Sequence, residues 1–354
     1  MKHLFSPFQF ISMAVALLVL TLTAPVLRSQ QTPGANKKVS PTPFVPARTA
    51  WGDPNLQGVY NFGTQTPVQR PVALGDKDRY TEAEQKQQEE QLKEKNKDNI
   101  AANEHFSYNA LWFVNDQGRP TGRTSLIVDP PNGRFPPLTE HGEKLRRENV
   151  ARLAAKRIGK DEITNTWADH TNYNRCISRP MPRVWQEYNQ GVEILQTPGL
   201  VAIFYESMHD VRLIPVDGSP HLDASLRQWN GDSRGRWEGN TLVVDWTNFS
   251  DKQRTDDSAP FGGFTQGNMR FTERFTKIDA DTINYEVTVY DPEIWTKPWT
   301  LALPWRANDA AYKGPEDLFE YACHEGNYRM MEDTITGTRL LLEKLAQDSQ
   351  KEAK

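Results

Sequence analysis

Three stretches of this 354-residue chain gather side chains able to do chemistry. The first is Met208-His-Asp-Val-Arg212. If Leu200–Pro215 forms one strand, Tyr205, His209, Val211 and Leu213 share a face. His209 is then expected to face a barrel interior as an acid, a base or a ligand contact. The plainer reading is a buried imidazole bonded to backbone. Asp210 and Arg212 fall on the opposite face, where they can pair. The second stretch is Gly231-Asp-Ser-Arg-Gly-Arg-Trp-Glu-Gly-Asn240. Asp232, Arg234 and Arg236 suit an anionic group, since a guanidinium offers bidentate geometry. Trp229, Trp237 and Trp246 offer stacking surface to a sugar ring or an aromatic ligand. The same residues also suit a rigid polar hairpin with salt bridges and packed indoles. The third is Tyr321-Ala-Cys-His-Glu-Gly-Asn-Tyr328. His324 and Glu325 precede an expected helix, whose free N–H groups and dipole favour negative charge. Here the plainer reading is a cap and a turn.

Other chemistries lack their signatures. A metal site needs three or four convergent ligands. His209, His221, His324 and Glu325 are the set from which one would be drawn, but no HxH or HExxH spacing supports it, so none is expected. There is no GxSxG elbow for a serine hydrolase, and no GxGxxG or GxxxxGK to cradle phosphate. No organic cofactor is therefore expected. Paired carboxylates for glycoside cleavage stay open, because their geometry is invisible in sequence.

The elements that must position these groups are mostly strands. Leu56–Phe62 and Ser125–Asp129 read as short strands. Val192–Thr197 and Leu200–Glu206 read as a hairpin around Pro198-Gly199, and Arg234–Glu238 pairs with Thr241–Asn248 around Gly239-Asn240. In Met269–Tyr290, Met269, Phe271 and Phe275 alternate, as do Ile283, Tyr285, Val287 and Val289. For those faces to coincide, the loop around Asp279-Ala280-Asp281 must hold an odd number of residues, with Arg274 opposite or diagonal to Glu286. Trp299–Trp305 is a further strand. Helices are expected near 80–100, with Thr81 and Glu84 as a capping box, over 139–158 with Thr139 as cap and Gly159 as stop, and over 328–345 with Asn327 as cap and a bend at Gly337. Residues 347–354 read as a tail. Together these predict a mainly β protein, an antiparallel lipocalin-like barrel or strongly curved sheet with helical excursions, or alternatively a β-sandwich. Residues 51–346 form one domain in this reading.

Residues 1–29 have the pattern of a secretory signal peptide. A weakly basic start is followed by the uncharged run Ile11–Ala24, which is short for a bilayer span. Pro25 disfavours a cut after Ala24, so cleavage is placed after Ser29. This removes Lys2 and Arg28 and makes the net charge of −4 two units more negative. A mildly acidic chain without a basic run is a poor partner for nucleic acid, and no second apolar run is long enough to cross a membrane. Residues 30–50 read as a disordered tether. Cys176 and Cys323 are the only cysteines. In an oxidising compartment they are expected to form a disulfide, stabilising by roughly 4–5 kcal/mol.

The blocks Trp51-Gly-Asp-Pro-Asn-Leu-Gln-Gly-Val-Tyr60, Ser125-Leu-Ile-Val-Asp-Pro-Pro131, Met208–Arg212, Gly231–Gly239 and Tyr321–Asn327 resemble a family of exported bacterial proteins of unknown function. The resemblance covers nearly all of the mature chain and implies export and a single domain. It brings no activity with it. The strand pattern is also similar to that of lipocalins.

The functional expectation is a pocket for a small organic molecule. In one form it serves a cofactor-free lyase, isomerase or hydrolase, with His209 as acid or base, Arg234 or Arg236 as anion anchor, and His324 with Glu325 as polar partners. In the other it is a non-enzymatic binding protein for a small molecule or a sugar. An envelope-interaction protein is a third possibility. The sequence leaves the oligomeric state open.

Overall fold

Stretches of alternating apolar residues become strands, and polar stretches with cap signals become helices. In chain order these are β1 (Gly58–Asn61), α1 (Glu82–Ala102), β2 (Ile127–Asp129), α2 (Glu140–Ala155), β3 (Arg157–Ile158), β4 (Asp161–Glu162), β5 (Gly191–Thr197), β6 (Leu200–Tyr205), β7 (Asp210–Pro215), β8 (Asp232–Glu238), β9 (Thr241–Thr247), β10 (Arg270–Lys277), β11 (Thr282–Tyr290), β12 (Trp299–Arg306) and α3 (His324–Glu352). The computed structural model describes residues 44–102, 120–155, 157, 158, 161–179, 181–184, 189–252, 268–307 and 318–352. These lie in one compact unit, Pro43–Lys354. The expected signal peptide and most of the expected tether fall outside the described residues. Among the described residues, no helix is long and apolar enough to cross a membrane.

Ten strands build one antiparallel sheet in the order β7-β6-β5-β1-β12-β11-β10-β9-β8, with β2 also pairing with β12. It is a single continuous sheet, not two sheets as in a sandwich. Its inner side chains, from Tyr60 through Val192, Ile203, Val244, Phe271 and Tyr285 to Trp305, belong to one buried cluster. Such a cluster requires the sheet to curl around its own core. The two edges meet through side chains: Arg212 Nε on β7 donates to Ser233 Oγ on β8 at 2.8 Å. No ladder joins β7 to β8 among the described residues, so the barrel is not closed.

The β10–β11 hairpin has the register that parity requires. Arg274 lies opposite Glu286, and Ile278 N bonds to Thr282 O at 2.9 Å, leaving the three loop residues Asp279–Asp281. The Arg274 guanidinium itself reaches Glu238 on β8, at 2.9 Å. The Thr81/Glu84 capping box forms, and Thr139 Oγ caps α2 by accepting from Gly142 N at 3.0 Å.

Three helix boundaries differ from expectation by more than about two residues. Ile158 belongs to β3 and not to α2. The C-terminal helix starts four residues early and runs unbroken through Gly337 into the expected tail, to Glu352. A lone glycine weakens a helix by only about 1 kcal/mol.

The largest correction concerns Leu200–Pro215. It is not one strand. Ser207–His209 form a tight turn in which Met208 (φ 69°) and His209 (φ 46°) are left-handed, and β7 folds back on β6 with Tyr205 opposite Asp210. Four residues separate that pair, so inward parity switches from odd on β6 to even on β7. Val211 and Leu213 are therefore exposed, while Arg212 and Ile214 are buried.

Candidate functional site

The parity switch places a charge inside the sheet. Arg212 and Glu273 occupy inward positions of β7 and β10 and are 6% and 1% exposed. Arg212 Nη1 donates to Glu273 Oε1 at 2.9 Å, and Nη2 makes a shorter contact with Oε2. With Nε on Ser233, every guanidinium nitrogen has a partner. Tyr285 OH also donates to Glu273 Oε1, at 2.7 Å, and the guanidinium lies 3.8 Å from the centroid of the Trp246 ring. Burial alone would lower the Arg212 pKa. The charge and hydrogen bonds of Glu273 overcome this and hold it above its ordinary value. Burial, reinforced by Glu273, raises the Tyr285 phenol well above 10.0. Burial likewise raises Tyr205.

A second buried arginine adjoins this network. Arg183 Nη1 donates to Ser207 O at 3.1 Å, and Nη2 pairs with Asp210 Oδ2. Its guanidinium carbon sits 4.4 Å from the Tyr205 ring centroid. Burial, helped by Arg179 and Arg212, pulls the Arg183 pKa down to about 9. Arg179 Nε donates to Ser207 Oγ at 3.3 Å and stacks on Tyr173 at 3.7 Å. Tyr173 and Tyr321 share a hydroxyl contact of 3.0 Å. The Cys176–Cys323 disulfide is formed, with a Cα–Cα distance of 5.9 Å. It joins the segment leading to Arg179 and Arg183 to the segment that enters α3. Asn327 Nδ2 donates towards both sulfurs; it is a residue within the helix and not its cap.

The charged residues singled out in sequence lie mostly off the inner face of the sheet. His209 is exposed on the β6–β7 turn, edge-on to Tyr321 with ring centroids 6.2 Å apart. This brings the first and third sequence stretches together, but not around an interior imidazole. His324 and Glu325 are exposed in the first turn of α3. Asp232 is spent locally: it faces His221 Nδ1 at 2.7 Å, accepts from Leu222 N at 3.1 Å and pairs with Arg234 Nη1 at 2.7 Å. Arg234 also donates to Pro220 O, and Arg236 pairs with Asp245 and Glu238 on the outer face. Trp237 packs partly buried against the core. Trp246 is 1% exposed, and its indole donates to Asn230 O at 2.6 Å. The second stretch is thus a salt-bridged hairpin whose indole at 246 backs Arg212. Among the described residues, no three His, Cys, Asp or Glu converge to hold a metal ion, and His209, His221 and His324 form no such group. A surface depression of about 460 Å³ opens beside Gly326, Arg329, Met330, Asp333 and Thr334 on α3. Its two charges pair with each other.

No family model, curated protein or solved structure matches this chain.

Sequence reading passed over Glu273 and Arg183, and it placed Arg212 on the outer face beside Asp210, whereas Arg212 pairs inward with Glu273 and Asp210 pairs with Arg183. Glu273 has a visible signal, a carboxylate at the odd position between Phe271 and Phe275 on an otherwise apolar face. Arg212 has the same signal beside Ile214, once the turn at 207–209 is known. Arg183 sits in the irregular segment Arg179-Pro-Met-Pro-Arg183, where no periodicity assigns a direction.

Proposed function

We propose that this is an exported protein that binds a small organic molecule at the polar patch on the inner face of its curved sheet. The observation that carries the reading is the Arg212–Glu273–Tyr285 network, set among Trp246, Tyr205 and Trp305 at positions that strand alternation assigns to the core. A buried ion pair is usually no more stabilising than well-packed apolar residues. Its presence there is better explained by a ligand that needs polar groups fixed among aromatic walls. The disulfide supports an oxidising compartment, and with it export. The binding form is favoured over the enzyme with a histidine base. Glu273 is already committed to Arg212 and Tyr285, and His209 and His324 stand exposed.

A thermal-shift screen of sugars, polar aromatics and small organic acids tests this, run on wild type and on Tyr285→Phe. A ligand at 100 times its Kd stabilises by about 2.7 kcal/mol. The expected result is one chemical class that raises the wild-type Tm in a concentration-dependent way and raises that of Tyr285→Phe less. Equal shifts in both proteins, or none with any class, would contradict the reading.

A further inference from the structure

Among the described residues, two donors of deeply buried side chains that adjoin Tyr205 have no hydrogen-bond partner: Arg183 Nε and Trp305 Nε1. Arg183 is 3% exposed and Trp305 fully buried. Buried polar atoms are nearly always hydrogen-bonded, and leaving one bare is costly, so each bare atom calls for an explanation. Both side chains border one ring, that of Tyr205. The Arg183 guanidinium lies 4.4 Å from its centroid, and the Trp305 ring meets it edge-on at 6.5 Å. Trp305 also stacks on Tyr285 at 4.9 Å, the phenol that bonds Glu273.

We propose that Arg183 Nε and Trp305 Nε1 anchor the carboxylate of a flat organic acid, an inference that rests on the binding reading above. Guanidinium and indole N–H groups can only donate, so the complementary group must accept. A guanidinium binds an oxyanion with charge-assisted strength, and an indole N–H supplies a second, neutral donor. Asp210 and Glu273 already face Arg183 and Arg212, and their negative charge disfavours a doubly charged phosphate more than a singly charged carboxylate. The rings of Tyr205, Tyr285 and Trp305 offer apolar walls to a planar body.

Calorimetric titration of the intact exported chain with benzoate, phenylacetate and octanoate, each beside its own amide, and with phenyl phosphate, tests the inference. The expected result is that the aromatic carboxylates bind at least tenfold more tightly than their amides and than phenyl phosphate. That preference should fall to about twofold or less in Arg183→Gln and weaken in Trp305→Phe, which replaces the indole, its N–H included, by a smaller ring without a donor. If Arg183→Gln does not fold, Trp305→Phe and Arg183→Lys carry the same comparison. Amides binding as well as acids would overturn the carboxylate anchor and leave the binding reading intact. Phenyl phosphate binding most tightly would overturn the ligand class. A preference unchanged in the variants would move the anchor elsewhere. No binding by any probe would overturn the inference, while the thermal-shift screen that includes sugars decides the reading on which it rests.

Discussion

Glu273→Gln isolates the cost of an unpaired buried guanidinium. The amide keeps the volume of the side chain and its Oε1, so Tyr285 can still donate to it, and only the charge is removed. Arg212 remains 6% exposed, with its Nη groups facing a neutral amide. Breaking one side of a buried pair in this way costs about 3–5 kcal/mol. Against a typical total stability of about 5–15 kcal/mol, that is a large share. With a urea slope of about 2–3 kcal/mol per molar, the unfolding midpoint should fall by about 1–2.5 M. The double variant Arg212→Met/Glu273→Leu removes both charges and keeps a flexible side chain over the Trp246 ring. It should recover to within about 1 kcal/mol of wild type, because well-packed apolar replacements of buried pairs are often neutral or stabilising. Urea titrations followed by circular dichroism measure all three proteins. A loss below about 1 kcal/mol in Glu273→Gln, or a double variant no more stable than the single one, would show that the buried guanidinium does not depend on Glu273.

Other perturbations probe separate parts of the account. Replacing Cys176 and Cys323 by Ser opens a loop spanning 147 residues and should cost about 4–5 kcal/mol in the chain-entropy picture; a Tm equal to that of the oxidised protein would contradict it. Gly231→Ala should cost at least about 2 kcal/mol by chemical denaturation, since φ is +62° and a Cβ would lie 2.5 Å from Thr247 O. Gly239→Ala, at φ +61° in open space, should cost only about 1 kcal/mol, and equal costs at the two positions would be wrong for this structure. Tyr205 and Tyr285 have folded-state pKa values raised above 10.0. The unfolded chain therefore loses these protons first as pH climbs past 10, and the stability these two phenols contribute falls from there upward. Phenolate absorbance should accordingly appear in part as a steep step coupled to unfolding, smaller in Tyr285→Phe; smooth titration of every tyrosine near pH 10 would contradict the burial.

Much of the sheet was legible because period-two alternation is a local property. The Met269–Tyr290 hairpin, its odd loop and the Arg274–Glu286 register all follow from which residues are apolar. The β6–β7 pair was not legible, because Glu206-Ser-Met-His-Asp210 carries no glycine or proline to announce a turn. Met208 and His209 take left-handed backbone that non-glycine residues seldom adopt. Missing that turn reversed the facing of every residue in β7, which put His209 inside and Arg212 outside. The disulfide could be inferred from compartment and count, whereas the convergence of Arg183, Asp210 and Ser207 is tertiary and leaves no spacing in the chain. Arg234 and Arg236 had the right type for anion binding, but the carboxylates of Asp232, Glu238 and Asp245 occupy them.

The most direct test of the central claim is native mass spectrometry of the protein purified from its exported location, beside the Arg212→Met/Glu273→Leu variant. Wild type should carry, or take up on incubation with small organic acids, one small molecule per chain, and the folded variant should not. An equal load on both proteins, or none on either, would contradict a ligand site at the Arg212–Glu273–Tyr285 network.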